Sequence, residues 1–141
     1  MRGLFLKWLL LLAVFPACQT TALPDSGFPS TALVTATTDD GLYAVELRTA
    51  PSQPPPRSGG RMDLLVKDAK GNEVDGLTLE VVPWMPAMNH GASTYPTVTP
   101  QGHGHYLAEP LELSMAGTWQ MRIKLMKGMQ ESHAELSLDV P

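Results

Sequence analysis

The chain holds a single cysteine, Cys18, so no disulfide can close within it. Cationic side chains are also few. Ten Lys and Arg stand against 14 Asp and Glu, with no basic stripe, which argues against nucleic acid as a partner. The same acidity gives no electrostatic reason to dock on anionic lipid head groups. No convincing helical repeat follows the N-terminal leader. Catalytic frames are missing too: Ser114, Ser132 and Ser137 have no G-x-S-x-G setting. No histidines stand at H-E-x-x-H spacing, and no Gly-rich phosphate cradle opens a helix. Asp39-Asp40 before Gly41 reads as a solvated turn rather than a calcium loop. The chain is therefore read as a non-enzyme.

An export signal is present. Arg2 and Lys7 precede the apolar run Trp8 to Phe15, which is too short for the about 20 residues of a bilayer span but fits a cleavable leader. The run ends at Phe15-Pro16-Ala17-Cys18, a pattern resembling a bacterial lipobox, although Phe15 and Pro16 replace the usual aliphatic and small residues. Acylation of Cys18 would also remove the liability of a lone thiol in an oxidising compartment. Gln19, rather than Asp, after the cysteine points to the outer membrane by the sorting rules of such lipoproteins. Residues 1–17 are thus expected to be a signal peptide, leaving 124 of the 141 residues. Losing Arg2 and Lys7 leaves 8 basic against 14 acidic side chains. That is one domain, large enough for a real core.

Residues 18–40 are expected to be the lipidated cysteine and a flexible tether, rich in Thr, Ala, Ser and Pro up to about Thr38. The folded domain is expected over residues 41–141. From Leu42 onward the pattern has period two. Tyr43, Val45 and Leu47 alternate with Ala44, Glu46 and Arg48; Met62, Leu64 and Val66 follow, then Leu77, Leu79 and Val81. Trp119, Met121, Ile123 and Leu125 form a further set, and Ala134, Leu136, Leu138 and Val140 the last. Pro51 to Gly60 is a long loop, Asp68-Ala-Lys-Gly-Asn72 a turn, and the segment from Gly91 to Gly102 a further loop. About seven short strands with evenly spaced turns predict an all-β, antiparallel sandwich, most simply an immunoglobulin-like one.

The chemistry is concentrated in Trp84-Met-Pro-Ala-Met-Asn-His-Gly91. Met85, Met88 and His90 offer two thioethers and an imidazole within six positions, and Pro86 restricts the backbone between them. Such donors suit a soft metal, copper(I) above all. His103 and His105 lie two apart and, if the chain loops back to the same rim, would add to that shell. The plainer reading is that Met85 and Met88 are gap-fillers under a loop and His103 a solvated histidine. Met62, Met115 and Met121 read as core residues, whereas Met126 and Met129 flank an exposed turn. Trp84 and Trp119 read as core aromatics, Trp84 standing close enough to shield a bound ion.

The order of these elements resembles the YtkA-like domain, which is related to FixH. The resemblance is carried by the Lys-Gly-Asn turn, Met85-Pro86-Ala87-Met88-Asn89-His90-Gly91, Tyr106, and the turn Ala116-Gly117-Thr118-Trp119. It spans roughly Leu42 to Val140. Asn89 stands where the block more often carries Gly. The resemblance implies an immunoglobulin-like sandwich outside the cytoplasm. FixH-type relatives are linked to copper delivery for a haem–copper oxidase, but they carry a membrane helix. The expectation is a periplasm-facing, lipid-anchored protein that binds copper(I) through Met85, Met88, His90, His105 and His103. The alternative is a non-catalytic module docking on a partner in an envelope or oxidase-assembly complex.

Overall fold

The structure, a computed structural model, describes residues 27–141. The expected signal peptide and Cys18 lie outside the described residues. Nine strands form two antiparallel sheets packed face to face. The first sheet contains β1 (Val34–Thr37), β2 (Tyr43–Ala50), β3 (Gly60–Asp68), β7 (His105–Leu111) and β6 (Thr97–Gly102), in that spatial order. The second contains β5 (His90–Gly91), β4 (Thr78–Met85), β8 (Gly117–Lys127) and β9 (Gln130–Val140). The one helical element among the described residues is a 3₁₀ turn, Pro86–Met88, and none of them forms a helix long and apolar enough to cross a membrane.

Period-two alternation explains the sandwich directly, because successive side chains of a strand face opposite sides. On β9, Ser132, Ala134, Leu136, Leu138 and Val140 are buried while Glu131, His133, Glu135, Ser137 and Asp139 face out. Val45, Leu47, Met62, Leu64, Val66, Tyr106 and Ala108 line the inner face of the first sheet. Leu79, Val81, Trp119, Met121, Ile123 and Leu125 meet them from the second. Met62 and Met121 are core as expected, Met115 packs on the core edge, and Met129 is fully exposed at the β8–β9 turn.

Three features depart from the sequence reading. Val34–Thr37, expected in the tether, pairs with Leu47 to Ala44 and so belongs to the sheet. Thr97–Gly102, expected as loop, is the edge strand β6, where Pro100 can be accommodated. Trp84 is not a core residue. It lies on the outer face of the second sheet under the guanidinium of Arg122, 4.7 Å from the ring centroid, because Met85 takes the inward position.

Turn chemistry fixes the ends. In the turn after β3, Asp68 accepts from the backbone of Lys70 and Asn72, both at 2.9 Å, and Gly71 supplies φ +85°. Tyr106 does the longer-range work. Its hydroxyl donates to Val74 O at 2.9 Å and accepts from Leu77 N at 3.1 Å. The start of β7 is thereby tied to the start of β4, at the end of the sandwich away from Met85.

Candidate metal centre

Met85 closes β4, and its direct cross-strand partner on β5 is His90. Directly opposed residues of an antiparallel pair carry their side chains on one face with Cβ atoms about 4.5–5.5 Å apart. The tight return between them is made by Pro86–Met88 and by Asn89, which takes φ 52°, ψ 41°. That left-handed conformation most often falls to Gly, and Asn is among the few other residues that tolerate it. Asn89 N closes the turn by donating to Pro86 O at 3.2 Å.

On the other side of β4, Trp84 pairs with Gln120, so Trp119 is the residue of β8 next in register to Met85. His90, Met85 and Trp119 therefore form one row across three strands. The His90 and Trp119 ring centroids are 6.5 Å apart with planes at 70°. Trp119 is fully buried and donates through Nε1 to Met115 O at 3.0 Å. Sequence reasoning placed Trp119 in the core but did not bring it to this rim; the register β4–β8 does so.

The donors differ in access. Met85 is 4% exposed, with its methyl against Gly117 of β8, whereas Met88 on the 3₁₀ turn is 51% exposed. His90 is exposed, and its Nδ1 lies 2.9 Å from Gly91 O. A carbonyl oxygen only accepts, so Nδ1 is the donor in this contact and Nε2 is the ring nitrogen turned to other partners. The rim thus offers one buried thioether, one exposed thioether and one exposed imidazole. Among the described residues no three His, Cys, Asp or Glu side chains cluster as a metal site. A soft ion that accepts thioether sulfur is the one this donor set fits.

His103 and His105 do not join them. The β6–β7 hairpin turns at Gly102–Gly104, beside Tyr106 and the start of β4, while Met85 ends that strand. An eight-residue strand spans roughly 25 Å, so these histidines stand at the far end of the sandwich. His103 Nδ1 lies 3.8 Å from Glu73 Oε2 in solvent. His105 faces outward from the first sheet, its Nδ1 bonded to Asp63 Oδ1 and Oδ2 at 2.9 and 3.0 Å. The five expected donors therefore do not share one end: Met85, Met88 and His90 lie at the rim and His103 and His105 at the opposite one, because the segment Gly91 to Gly102 returns as a paired strand that carries its turn away from the rim.

Fold and rim together define an antiparallel β-sandwich that presents a Met/His turn at one end and has no extended helical part among the described residues. Residues 43–124 match the family model described as YtkA-like, more than half of the chain, and the chain belongs to that family. The matched span includes the Met85–His90 turn and both distal histidines. Neither a curated protein nor a solved structure matches the chain.

Proposed function

We propose that this is an envelope protein, lipid-anchored through Cys18 and facing the periplasm, that binds copper(I) at the β4–β5 rim through Met85, Met88 and His90 for handling or delivery. The observation supporting it is the direct pairing of Met85 with His90 across a turn that carries Met88 between them. Trp119, buried beside the row, keeps water from the inner side of the site, which favours the cuprous state. The exposed Met88 gives a soft donor that a partner's thioether or thiolate can replace, as delivery requires. Thioethers need no deprotonation, so only the imidazole makes binding proton-dependent.

The test is a copper(I) titration under reducing conditions against a competing chelator. Met88→Ala and His90→Ala should each weaken binding at least about tenfold, while His103→Ala and His105→Asn leave it unchanged. Equal affinity in all forms would remove the rim from consideration. A second reading, docking on an envelope partner, rests on the exposed pair Met88 and Tyr95, the latter 57% exposed with its hydroxyl close to Gly91. Adaptable Met and amphipathic Tyr suit such contacts. In that case Tyr95→Ala abolishes partner capture and copper(I) affinity is the same in every variant.

A further inference from the structure

The methionines among the described residues differ sharply in access. Met62 and Met121 are 0% exposed and Met85 4%, all three inside the sandwich. Met115 and Met126 are partly covered. Met88 is 51% exposed and Met129 104%. The backbone explains the contrast at the rim. The Pro86–Met88 turn has no buried residue, and Asn89 and His90 beyond it are exposed too, so the turn holds Met88 out in solvent. Met85, three residues earlier, faces inward with its methyl against Gly117, where a single added carbon would stand 2.7 Å from Cε. The two thioethers of one candidate site thus have opposite access: one is open to a dissolved oxidant and the other is closed to it.

We propose that Met88 is a reversible oxidation site whose sulfoxide form shuts the rim to copper(I), an inference that rests on the reading of the rim as a copper(I) site. The co-reactant is a peroxide. Its O–O bond breaks, one oxygen forms an S–O bond with the Met88 sulfur and the other leaves as water, so the sulfur loses two electrons and the peroxide gains them. The rim then loses the soft thioether that it offers in solvent. The sulfoxide puts a harder oxygen donor in its place, which suits a cuprous ion poorly. Met85 and His90 are left as the remaining pair. The fold tolerates the change, because the added oxygen at Met88 meets water. An oxygen on Met62, Met85 or Met121 would instead put a polar group in the core, which is unfavourable without a hydrogen-bond partner. Reversal consumes two thiols: they become a disulfide, the sulfoxide oxygen leaves as water, and the thioether returns. Exposure decides this step as well, since a reductase must reach the same sulfur.

The full, copper-free chain is treated with hydrogen peroxide for increasing times, freed of oxidant, mapped by peptide mass spectrometry and titrated with copper(I) under reducing conditions. Met88 and Met129 should be oxidised well before Met62, Met85 and Met121. The fraction of tight copper(I) sites lost should track the fraction of Met88 sulfoxide, the oxidised rim binding at least about tenfold more weakly. Tm should be unchanged to that point, and Met129→Leu should alter neither the Met88 rate nor the loss. Treatment with the two epimer-specific sulfoxide reductases and a dithiol should restore binding. Oxidation of Met85 as fast as Met88 would overturn the inference. So would tight copper(I) binding by Met88-sulfoxide protein when Met88→Ala binds weakly, a result that leaves the copper site itself standing. Tight binding by Met88→Ala as well would remove the rim reading and this inference with it.

Discussion

Gly117→Ala tests whether the start of β8 is shaped around Met85. Gly117 has φ +128°, and a Cβ added there would stand 2.7 Å from Met85 Cε. Two costs follow. An L-residue at positive φ is strained by about 1–2 kcal/mol, and Met85 must leave its rotamer, at about 0.5–1.5 kcal/mol. Together they come to about 1.5–3.5 kcal/mol, or a fall in Tm of roughly 6–14 °C for a domain of this size. Two controls separate the terms. Gly128→Ala, with φ +61° and nothing within 4 Å, should show backbone strain alone. Introduced into Met85→Ala, the Gly117 substitution should lose its contact cost and show coupling of opposite sign, as neighbouring sites do. Thermal and urea unfolding read both. The same penalty for Gly117→Ala with and without the Met85 side chain would refute the proposed contact, and with it the claim that Gly117 holds that thioether in place.

Met88→Ala should change stability by no more than about 0.5 kcal/mol, because the residue is a surface one, yet should still weaken copper(I) binding; a large loss of Tm would show the turn to be structural instead. Asn89→Ala should cost about 1 kcal/mol, whereas Asn89→Gly should be close to neutral, since only the first opposes the left-handed backbone; equal Tm values for the two would contradict the conformation assigned to that turn. Asp40 provides a pH test. Its carboxyl is held below the usual carboxylate range chiefly by the Ser132 hydroxyl at 2.5 Å, then by Thr38. A lowered folded value means stability present above the unfolded pKa of about 3.9 and lost as pH falls through the folded one. Ser132→Ala should therefore lower Tm at neutral pH, with the curves of variant and wild type converging as pH falls through the lowered folded value; a gap of constant size down to acid would refute the linkage.

The sandwich was legible because alternation is local information. Every second residue is apolar from Trp119 to Leu125 and from Ala134 to Val140, and a strand has no other way to bury such a pattern than against a second layer. The Met85, Met88 and His90 turn was legible for the same reason, its donors being close in sequence. Departures arise wherever the answer depended on partners far along the chain. Val34–Thr37 has a composition that suits a tether and becomes a strand only because β2 offers it a free edge. Thr97–Gly102 reads as a loop until β7 pairs with it.

The sequence by itself determined an all-β domain, its buried face, and a thioether–imidazole turn restrained by Pro86. Tertiary structure alone decided which aromatic stands at that turn, since the β4–β8 register brings Trp119 to Met85 and sends Trp84 outward under Arg122. It also decided that His103 and His105 lie at the other end, and that Arg48 is buried with one nitrogen unmatched. The physical reason is common to all three. Side-chain direction along a strand is set by neighbours one residue apart, but position across a sandwich is set by pairing between strands whose separation in the chain leaves no periodic signal.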